Sequence, residues 1–282
     1  MNKLIIINKE KGFTSRDVVN ITSKIFKTKK VGHFGTLDPL AHGVLVIGIG
    51  KYTKLGNYLP IDDKRYIAEV LVGTATDTYD TEGEILKQEK IDNLDEIKLK
   101  EVISSFKKTY IQEVPIYSAV KVNGKKLYVY AREKKVVILP KKEVTIYDIK
   151  LLDIYKKEGN LYFTFSSHVS KGTYIRSLIN DISKKLNVSL TMSDLIRTSQ
   201  GLFTIEKANS IKDLETEDYT SYDPWDILDI QKEEVTKENE TKIKNGNIIE
   251  SEKDYILFTK DNNPFVLYKK IKDNQMKPII FY

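Results

Sequence analysis

The sequence predicts an α+β protein, in which a mixed, mainly antiparallel sheet with flanking helices is followed by a small C-terminal β domain. Short runs rich in β-branched residues, such as residues 3–8 and 44–49, have the length and composition of strands. Amphipathic patterns at helical spacing occur between such runs, first at 15–26 and later at 175–186. From about Val235 the chain returns to short β-like runs separated by turns, which indicates a second, smaller β unit.

The first predicted strand, residues 3–8, leads through a turn into a helix. Thr14 or Ser15 can cap this helix, and apolar residues then recur at helical spacing up to about Phe26. Plain packing is the expected role of the helix. The basic residues at 29–30 follow it directly, where they could meet phosphates.

A carboxylate in a restrained loop comes next. Gly35 and Gly43 can adopt backbone angles that other residues avoid, and Pro39 fixes one dihedral angle beside Asp38. The run at 44–49 then has the composition of a buried strand. This setting suits a carboxylate that must be held still, although Asp before Pro is by itself common in ordinary turns.

A short helix is expected within 51–63, followed by a strand that opens at Tyr66. The glycine-bounded stretch 73–83 is dense in hydroxyls and carboxylates, as in a solvated surface hairpin. Its three acids lack the ligand count of an EF-hand loop, so we expect no metal there.

The middle of the chain predicts a helix within 94–110 and then, over 112–131, Pro and Gly turns around short β-like runs. We interpret 112–131 as an insertion beside the main sheet. Further strands are predicted at 136–139, 144–154 and 161–169.

The strand at 161–169 runs into the helix at 175–186, which places Tyr174 and Arg176 near a helix N-terminus, a favourable position for anions. Residues 207–230 are predicted to form a helical, acidic connector that contains the one tryptophan.

Composition limits the classes of function. Lysine and arginine number 46 against 40 aspartates and glutamates, a formal net charge of +6 that fits a polyanionic partner such as RNA. The absence of cysteine excludes disulfides and thiolate metal sites, and three scattered histidines make a metal site unexpected. No phosphate-binding or dinucleotide motif is present, so no cofactor is expected. Without a long apolar run or a signal peptide, a soluble cytoplasmic protein is expected.

A longer motif gives the Asp38 loop a specific meaning. Residues 33–43 have the pattern HxGxLDPxAxG, and after the strand comes GxxTK at 50–54. This set resembles the TruB family of tRNA pseudouridine synthases, and the resemblance covers about residues 3–205, with a looser likeness of the tail to PUA-type RNA-binding domains. Val114 and Val169 depart from the family pattern, but neither carries the implied chemistry.

The resemblance implies that Asp38 is the nucleophile and that Arg176 forms an ion pair with it. Tyr66 resembles the platform on which the target uracil stacks, and His33 resembles a wedge that fills the space left by flipped bases. The substrate-binding residues implied are Tyr66, Tyr174, Arg176, Leu195, His33 and Asp80. Three basic residues match positions that contact phosphate or set the electrostatics of the pocket: Lys9, Lys54 and Arg197. Ordinary strand packing and solvated surface charge are the alternatives for the tyrosines and lysines.

The implied reaction is the isomerisation of uridine to pseudouridine at position 55 in the T-loop of tRNA, by a monomer that requires no cofactor and no protein partner. Two alternatives stay open: a guide-dependent, dyskerin-like enzyme acting on rRNA, and a non-catalytic RNA-binding or tRNA-folding protein. The insertion resembles the thumb with which stand-alone enzymes grip the T-arm, which favours the first. We expect a catalytic domain at 1–230, with a thumb-like insertion at about 90–142, and a PUA-like domain at 231–282.

Overall fold

The computed structural model describes residues 1–228 and 230–282 of the chain. The strands, in chain order, are β1 (Lys3–Lys9), β2 (Val31–His33), β3 (His42–Ile49), β4 (Lys64–Val72), β5 (Thr74–Thr76), β6 (Ile85–Gln88), β7 (Thr109–Glu113), β8 (Lys121–Val122), β9 (Lys125–Lys126), β10 (Lys141–Lys157), β11 (Asn160–Val169), β12 (Leu190–Gln200), β13 (Phe203–Thr204), β14 (Gln231–Glu234), β15 (Ile249–Glu250), β16 (Tyr255–Lys260), β17 (Asn263–Lys272) and β18 (Gln275–Phe281).

The helices are α1 (Ser15–Ile25), α2 (Glu96–Ser104), α3 (Leu127–Arg132), α4 (Ile175–Leu186), α5 (Ile211–Glu215) and α6 (Glu240–Lys244), with 3₁₀ helices at Gly50–Asn57, Ile205–Lys207 and Pro224–Asp226. In the part of the chain that the structure describes, no helix has both the length and the apolar character that crossing a membrane requires.

The main sheet has the strand order β1-β3-β12-β4-β11-β10-β7, with β2 beside β3 and β13 beside β12. Among the described residues the one parallel pairing between strands of this sheet joins β3 to β12, where Gly43 pairs with Arg197. The other pairings, such as β4 with β11 and β12, are antiparallel. The predicted mixed, mainly antiparallel sheet is therefore confirmed. This order places the loop between β2 and β3 next to the central strands β12 and β4.

The two predicted helices that flank the motifs form where their end signals lie. Thr14 caps α1, because its hydroxyl accepts from the Asp17 N–H while the Asp17 carboxylate accepts from the Thr14 N–H. α4 ends at Leu186 and is followed by the C-cap residue Asn187, whose backbone is left-handed with φ of 56°. Both helices bury their apolar residues against the main sheet, α4 packing with α2 and α1 lying under β1 and β3.

The C-terminal segment forms a separate five-stranded sheet with the order β14-β16-β17-β18-β15. Asp261 and Asn262, at φ of 52° and 63°, make the tight turn between β16 and β17 that the sequence predicts. This sheet packs on the first one: Leu267 and Ile280 share a buried cluster with Leu4 of β1 and Val44 of β3.

Two predicted elements are wrong, and a third is only partly right. Residues 136–139 are not a strand: Val136 and Ile138 are almost fully exposed, and β-branched composition alone cannot make a strand that lacks a pairing partner. The connector at 207–230 contains only short helical turns, and its residue 229 lies outside the described residues. The stretch at 73–83 does belong to a hairpin, formed by β5 and β6, but this hairpin is not fully solvated, since Thr76 and Asp80 are buried.

The first strand of the insertion, β7, joins the edge of the main sheet by pairing with β10. Beyond β7, β8 and β9 form a separate two-stranded hairpin, and α3 follows it.

Candidate active site

Asp38 lies in the loop between β2 and β3, at a cavity of about 510 Å³. The cavity lies between this loop, the start of β4, the turn before α4 and β12. Six residues predicted for the site line it together: His33, Asp38, Tyr66, Tyr174, Arg176 and Leu195. Distant parts of the sequence thus meet at one opening.

Arg176 forms the expected ion pair with Asp38. Its Nη2 atom lies 2.8 Å from Asp38 Oδ2, and its side chain is only 6% exposed whereas that of Asp38 is 44% exposed. The guanidinium also donates to the carbonyls of Thr78 and Tyr117, both at 3.0 Å, and lies 3.5 Å from Asp80 Oδ2. Arg176 is therefore held on several sides, while Asp38 stays accessible from the cavity.

The backbone on both sides of Asp38 is fixed by the segment that precedes α1. The Ser15 hydroxyl accepts from the Leu37 N–H at 2.8 Å, and the Gly12 N–H donates to the Pro39 carbonyl at 2.9 Å. The Lys9 ammonium, which is 0% exposed, donates to the Phe13 carbonyl at 2.6 Å and to the Pro39 carbonyl at 3.4 Å. Such contacts restrict the loop and hence the position of its carboxylate.

Two tyrosines and a leucine form the less polar walls of the cavity. Tyr66 on β4 and Leu195 on β12 are 7% and 6% exposed, on strands that pair directly. Tyr174 is the N-cap residue of α4, its N–H donates to Gln112 Oε1 at 2.8 Å, and burial raises the pKa of its hydroxyl. Aromatic walls of this kind suit a flat, partly apolar ligand.

His33 and Asp80 occupy different settings. Burial, together with the charges of Arg16 and Arg197, lowers the pKa of His33 and so favours the neutral form of its ring. Asp80 is 5% exposed and does not line the cavity; its carboxylate accepts from the Thr78 hydroxyl at 2.6 Å and faces Arg176. The contact of Asp80 with the RNA or the uracil, which the resemblance implied, stays a prediction.

The three basic residues predicted for the site also differ in their exposure. Lys9 and Arg197 are both 0% exposed, so of the two roles expected for them, phosphate contact or pocket electrostatics, their burial favours the second. Both are close enough to influence charges in the cavity, since each affects the pKa of a neighbouring group. Lys54 is exposed on the 3₁₀ helix whose residues Gly56 and Asn57 line the cavity, and its contact with phosphate stays a prediction.

Sequence reasoning missed Lys64. It lines the cavity, and burial, with the nearby charges of Arg197 and Lys171, lowers its pKa to about 8. Lys64 stands two residues before Tyr66 on β4, so both side chains lie on one face of the strand. This two-residue spacing on a predicted strand is the sequence signal that could have identified Lys64. Gln200, which is fully buried beside the Asp38 loop, was also missed.

Comparison with solved structures identifies the fold. The structure of a Cbf5-Nop10-Gar1 complex matches with a TM-score of 0.66 at 24% identity, over 96% of this chain and 79% of that one. The structure of an H/ACA RNP bound to a substrate RNA containing 2′-deoxyuridine matches with a TM-score of 0.67 at 21% identity, over 99% and 83% of the two chains. The fold is that of the pseudouridine synthases, with a PUA-like C-terminal β domain.

The chain belongs to the TruB family: residues 23–175 match the N-terminal domain of TruB family pseudouridylate synthases. The tRNA pseudouridine synthase B of Ligilactobacillus salivarius is 45% identical over 219 residues, which cover 76% of this chain and 72% of that protein. The tRNA pseudouridine synthase B of Caldanaerobacter subterraneus subsp. tengcongensis is 42% identical over 242 residues, or 86% and 84% of the two chains.

Proposed function

We propose that this protein isomerises uridine to pseudouridine in tRNA, at position 55 of the T-loop, with Asp38 as the nucleophile. The observation that carries the proposal is the 2.8 Å ion pair between Asp38 and Arg176 in a cavity beside Tyr66, in a chain of the TruB family. In the reaction the bond between ribose C1′ and uracil N1 breaks and one between C1′ and C5 forms. C5 loses a proton and N1 gains one, so no redox partner or group donor takes part.

The cavity fits a base that has left its stack. An enzyme that acts on a base inside folded RNA must extrude it and bind it between aromatic or apolar side chains. The cavity, at about 510 Å³, has the size of a small-ligand site. Tyr66 and Leu195 supply its walls, and Asp38 supplies its accessible carboxylate.

Three roles are open to the carboxylate: addition to the sugar, addition to the base, and removal of a sugar proton. Each requires Asp38 at the nucleoside while Arg176 holds its second oxygen, as the ion pair allows. RNA carries many negative charges, and the formal net charge of +6 of the chain favours such a partner.

The remaining parts of the proposal follow from the same function. Residues 1–230 form the catalytic domain, with the insertion at about 90–142 gripping the T-arm, and 231–282 form a PUA-like RNA-binding domain. Lys54 contacts phosphate near the cavity. The protein works in the cytoplasm as a monomer, without a guide RNA.

Tritium release from tRNA labelled at uridine C5 tests this function, with a T-arm minihelix as a second substrate. The wild-type protein should release tritium from both RNAs, and Asp38→Asn should release none while still binding tRNA. Asp218→Asn, at an exposed aspartate outside the cavity, is the matched control and should be fully active. Activity in Asp38→Asn would overturn the catalytic assignment. Binding without release by the wild type would favour a guide-dependent enzyme or an RNA-folding protein.

A further inference from the structure

β12 supports the Asp38 loop with two side chains that donate to its backbone. Arg197 donates from Nη1 to the Thr36 carbonyl at 3.1 Å, and from Nη2 to the Gly35 carbonyl at 3.3 Å. Gln200 donates to the Phe34 carbonyl. Three consecutive carbonyls just before Leu37 and Asp38 are thus held by side chains of one neighbouring strand.

Arg197 also binds the far end of the loop, because its Nε atom donates to the Val44 carbonyl in β3 at 2.7 Å. One guanidinium therefore joins the segment that enters the Asp38 loop to the strand that leaves it. Its planar set of N–H donors in fixed directions suits several carbonyls at once, which a lysine ammonium cannot match.

The burial of Arg197 indicates that its charged guanidinium serves these hydrogen bonds to the loop. Its side chain is fully buried, and the hydrogen bonds it makes within the described residues go to backbone carbonyls, with no carboxylate partner. A buried cation without an opposite charge costs several kcal/mol, unless local dipoles compensate for the lost water. Here the carbonyls of the loop are those dipoles.

Two glycines permit this close approach. Gly43 has φ of 101°, and a Cβ atom there would lie 2.3 Å from the Arg197 carbonyl oxygen. Gly35 has φ of 144°, and a Cβ atom there would lie 3.1 Å from Gln200 Nε2. Larger residues at these two positions would push the loop away from β12. The hydrogen bonds from Arg197 and Gln200 to the loop therefore depend on the two glycines.

We propose that Arg197 and Gln200 are positioning residues, which hold the backbone of residues 34–36 so that Asp38 meets both Arg176 and the substrate. This inference rests on the proposed function. Arg176 fixes the carboxylate itself, whereas Arg197 and Gln200 fix the chain that carries it. Neither of the two lines the cavity, so they act through Asp38 and not on RNA.

Steady-state kinetics on Arg197→Met, Arg197→Lys and Gln200→Met test the inference, with tRNA affinity and its salt dependence measured alongside. A displacement of about 1 Å at a reacting group lowers rates about a hundredfold, so we expect kcat of Arg197→Met to fall by about that factor. KM and the tRNA Kd should stay within about twofold, and Arg197→Lys should recover little. Arg65→Met, which changes an exposed arginine on β4, is the control and should retain the wild-type kcat.

The outcomes separate this inference from the proposed function. If the wild type is inactive, the proposed function fails. If the wild type is active and Arg197→Met keeps its kcat but loses affinity and salt dependence, Arg197 is a phosphate contact and the positioning role is overturned. If Arg197→Met does not fold at the assay temperature, Gln200→Met decides by the same comparison of kcat with KM. A normal kcat in Gln200→Met then overturns the inference.

Discussion

The hydroxyl of Tyr117 donates a 2.8 Å hydrogen bond to Asp77 Oδ2, and this contact ties the insertion to the turn beside the active site. The same residue accepts a hydrogen bond from Arg176 through its carbonyl at 3.0 Å. Tyr117 therefore connects the insertion with the ion pair at Asp38. A change in the docking of the insertion should be felt at Arg176.

Removing this hydroxyl should loosen the insertion. Tyr117→Phe loses one partly exposed hydrogen bond to a carboxylate, for which we expect about 1 kcal/mol, or about fivefold faster amide exchange in the insertion. Hydrogen exchange read by mass spectrometry over residues 115–135 measures the effect. Tyr130→Phe is the control, since that hydroxyl bonds to the Val122 carbonyl within the insertion. Equal effects of the two changes would argue against a special role for the link to Asp77.

Arg176 should not tolerate a conservative change. A lysine ammonium has no planar fork with which to reach Asp38 and the Thr78 and Tyr117 carbonyls together. We expect Arg176→Lys to lower the single-turnover rate constant about a hundredfold, with tRNA affinity changed less than about threefold. Single-turnover tritium release at saturating enzyme measures this, and Arg65→Lys at an exposed position is the control. Wild-type rates in Arg176→Lys would show that the ion pair is dispensable.

Lys64 should limit stability while it aids RNA binding. Burial lowers its pKa to about 8, so the unfolded chain binds this proton more tightly than the folded protein does. The penalty is fully present at pH 7 and is relieved as pH rises from about 8 towards the ordinary lysine value of about 10.4. We expect Lys64→Met to raise Tm at pH 7 by about 2–4 °C, and by less at pH 10.

The same substitution should weaken RNA binding, because a cation that lines the cavity is lost. If Lys64 meets a phosphate, the slope of log K against log salt concentration should decrease by about one. Lys98→Met, at an exposed lysine on α2, is the control for both measurements. A higher Tm without any loss of affinity would mean that Lys64 does not contact the RNA.

Asp194 should contribute stability that disappears in acid. Burial alone would raise its pKa, but contacts with Lys11 at 2.8 Å and His42 at 3.4 Å outweigh burial and lower the pKa to about 2. A folded-state pKa below the unfolded value stabilises the protein above about pH 4, and this contribution is lost as pH falls towards 2. We expect Asp194→Asn to cost about 2 kcal/mol at pH 7 and clearly less at pH 3.

Urea unfolding of both proteins at several pH values measures this difference. Asp148→Asn serves as the control, because Asp148 pairs with Lys107 where both side chains are more than half exposed, and no change in stability is expected. A difference between Asp194→Asn and the wild type that does not vary with pH would point to lost packing and not to charge.

The sequence predicts the strands and helices around Asp38 and Arg176 because end signals and apolar periodicity are local. Thr14 at the start of α1 is one such signal, and the alternating apolar residues of β11 are another. The prediction of a strand at 136–139 is wrong, since a strand requires a pairing partner and the whole fold determines which strands pair.

The sequence predicted the site residues that lie within a motif, but it predicted less well the residues whose role depends on burial. Arg197 stands two positions after Leu195 on β12, so the alternation of a strand places both on one face. An arginine on the face of a buried leucine could have been recognised as buried. That its donors serve carbonyls from a loop about 160 residues earlier is a tertiary fact that no local pattern contains.

The packing of the C-terminal sheet on β1 and β3 has a consequence for the order in which the protein matures. During synthesis β1 and the Asp38 loop leave the ribosome early, but Leu267 and Ile280, which share a buried cluster with Leu4 and Val44, emerge much later. Until then, one face of β1 and β3 stays exposed to water or bound to a chaperone. β3, the strand that follows the Asp38 loop, therefore gains its full packing only at the end of synthesis.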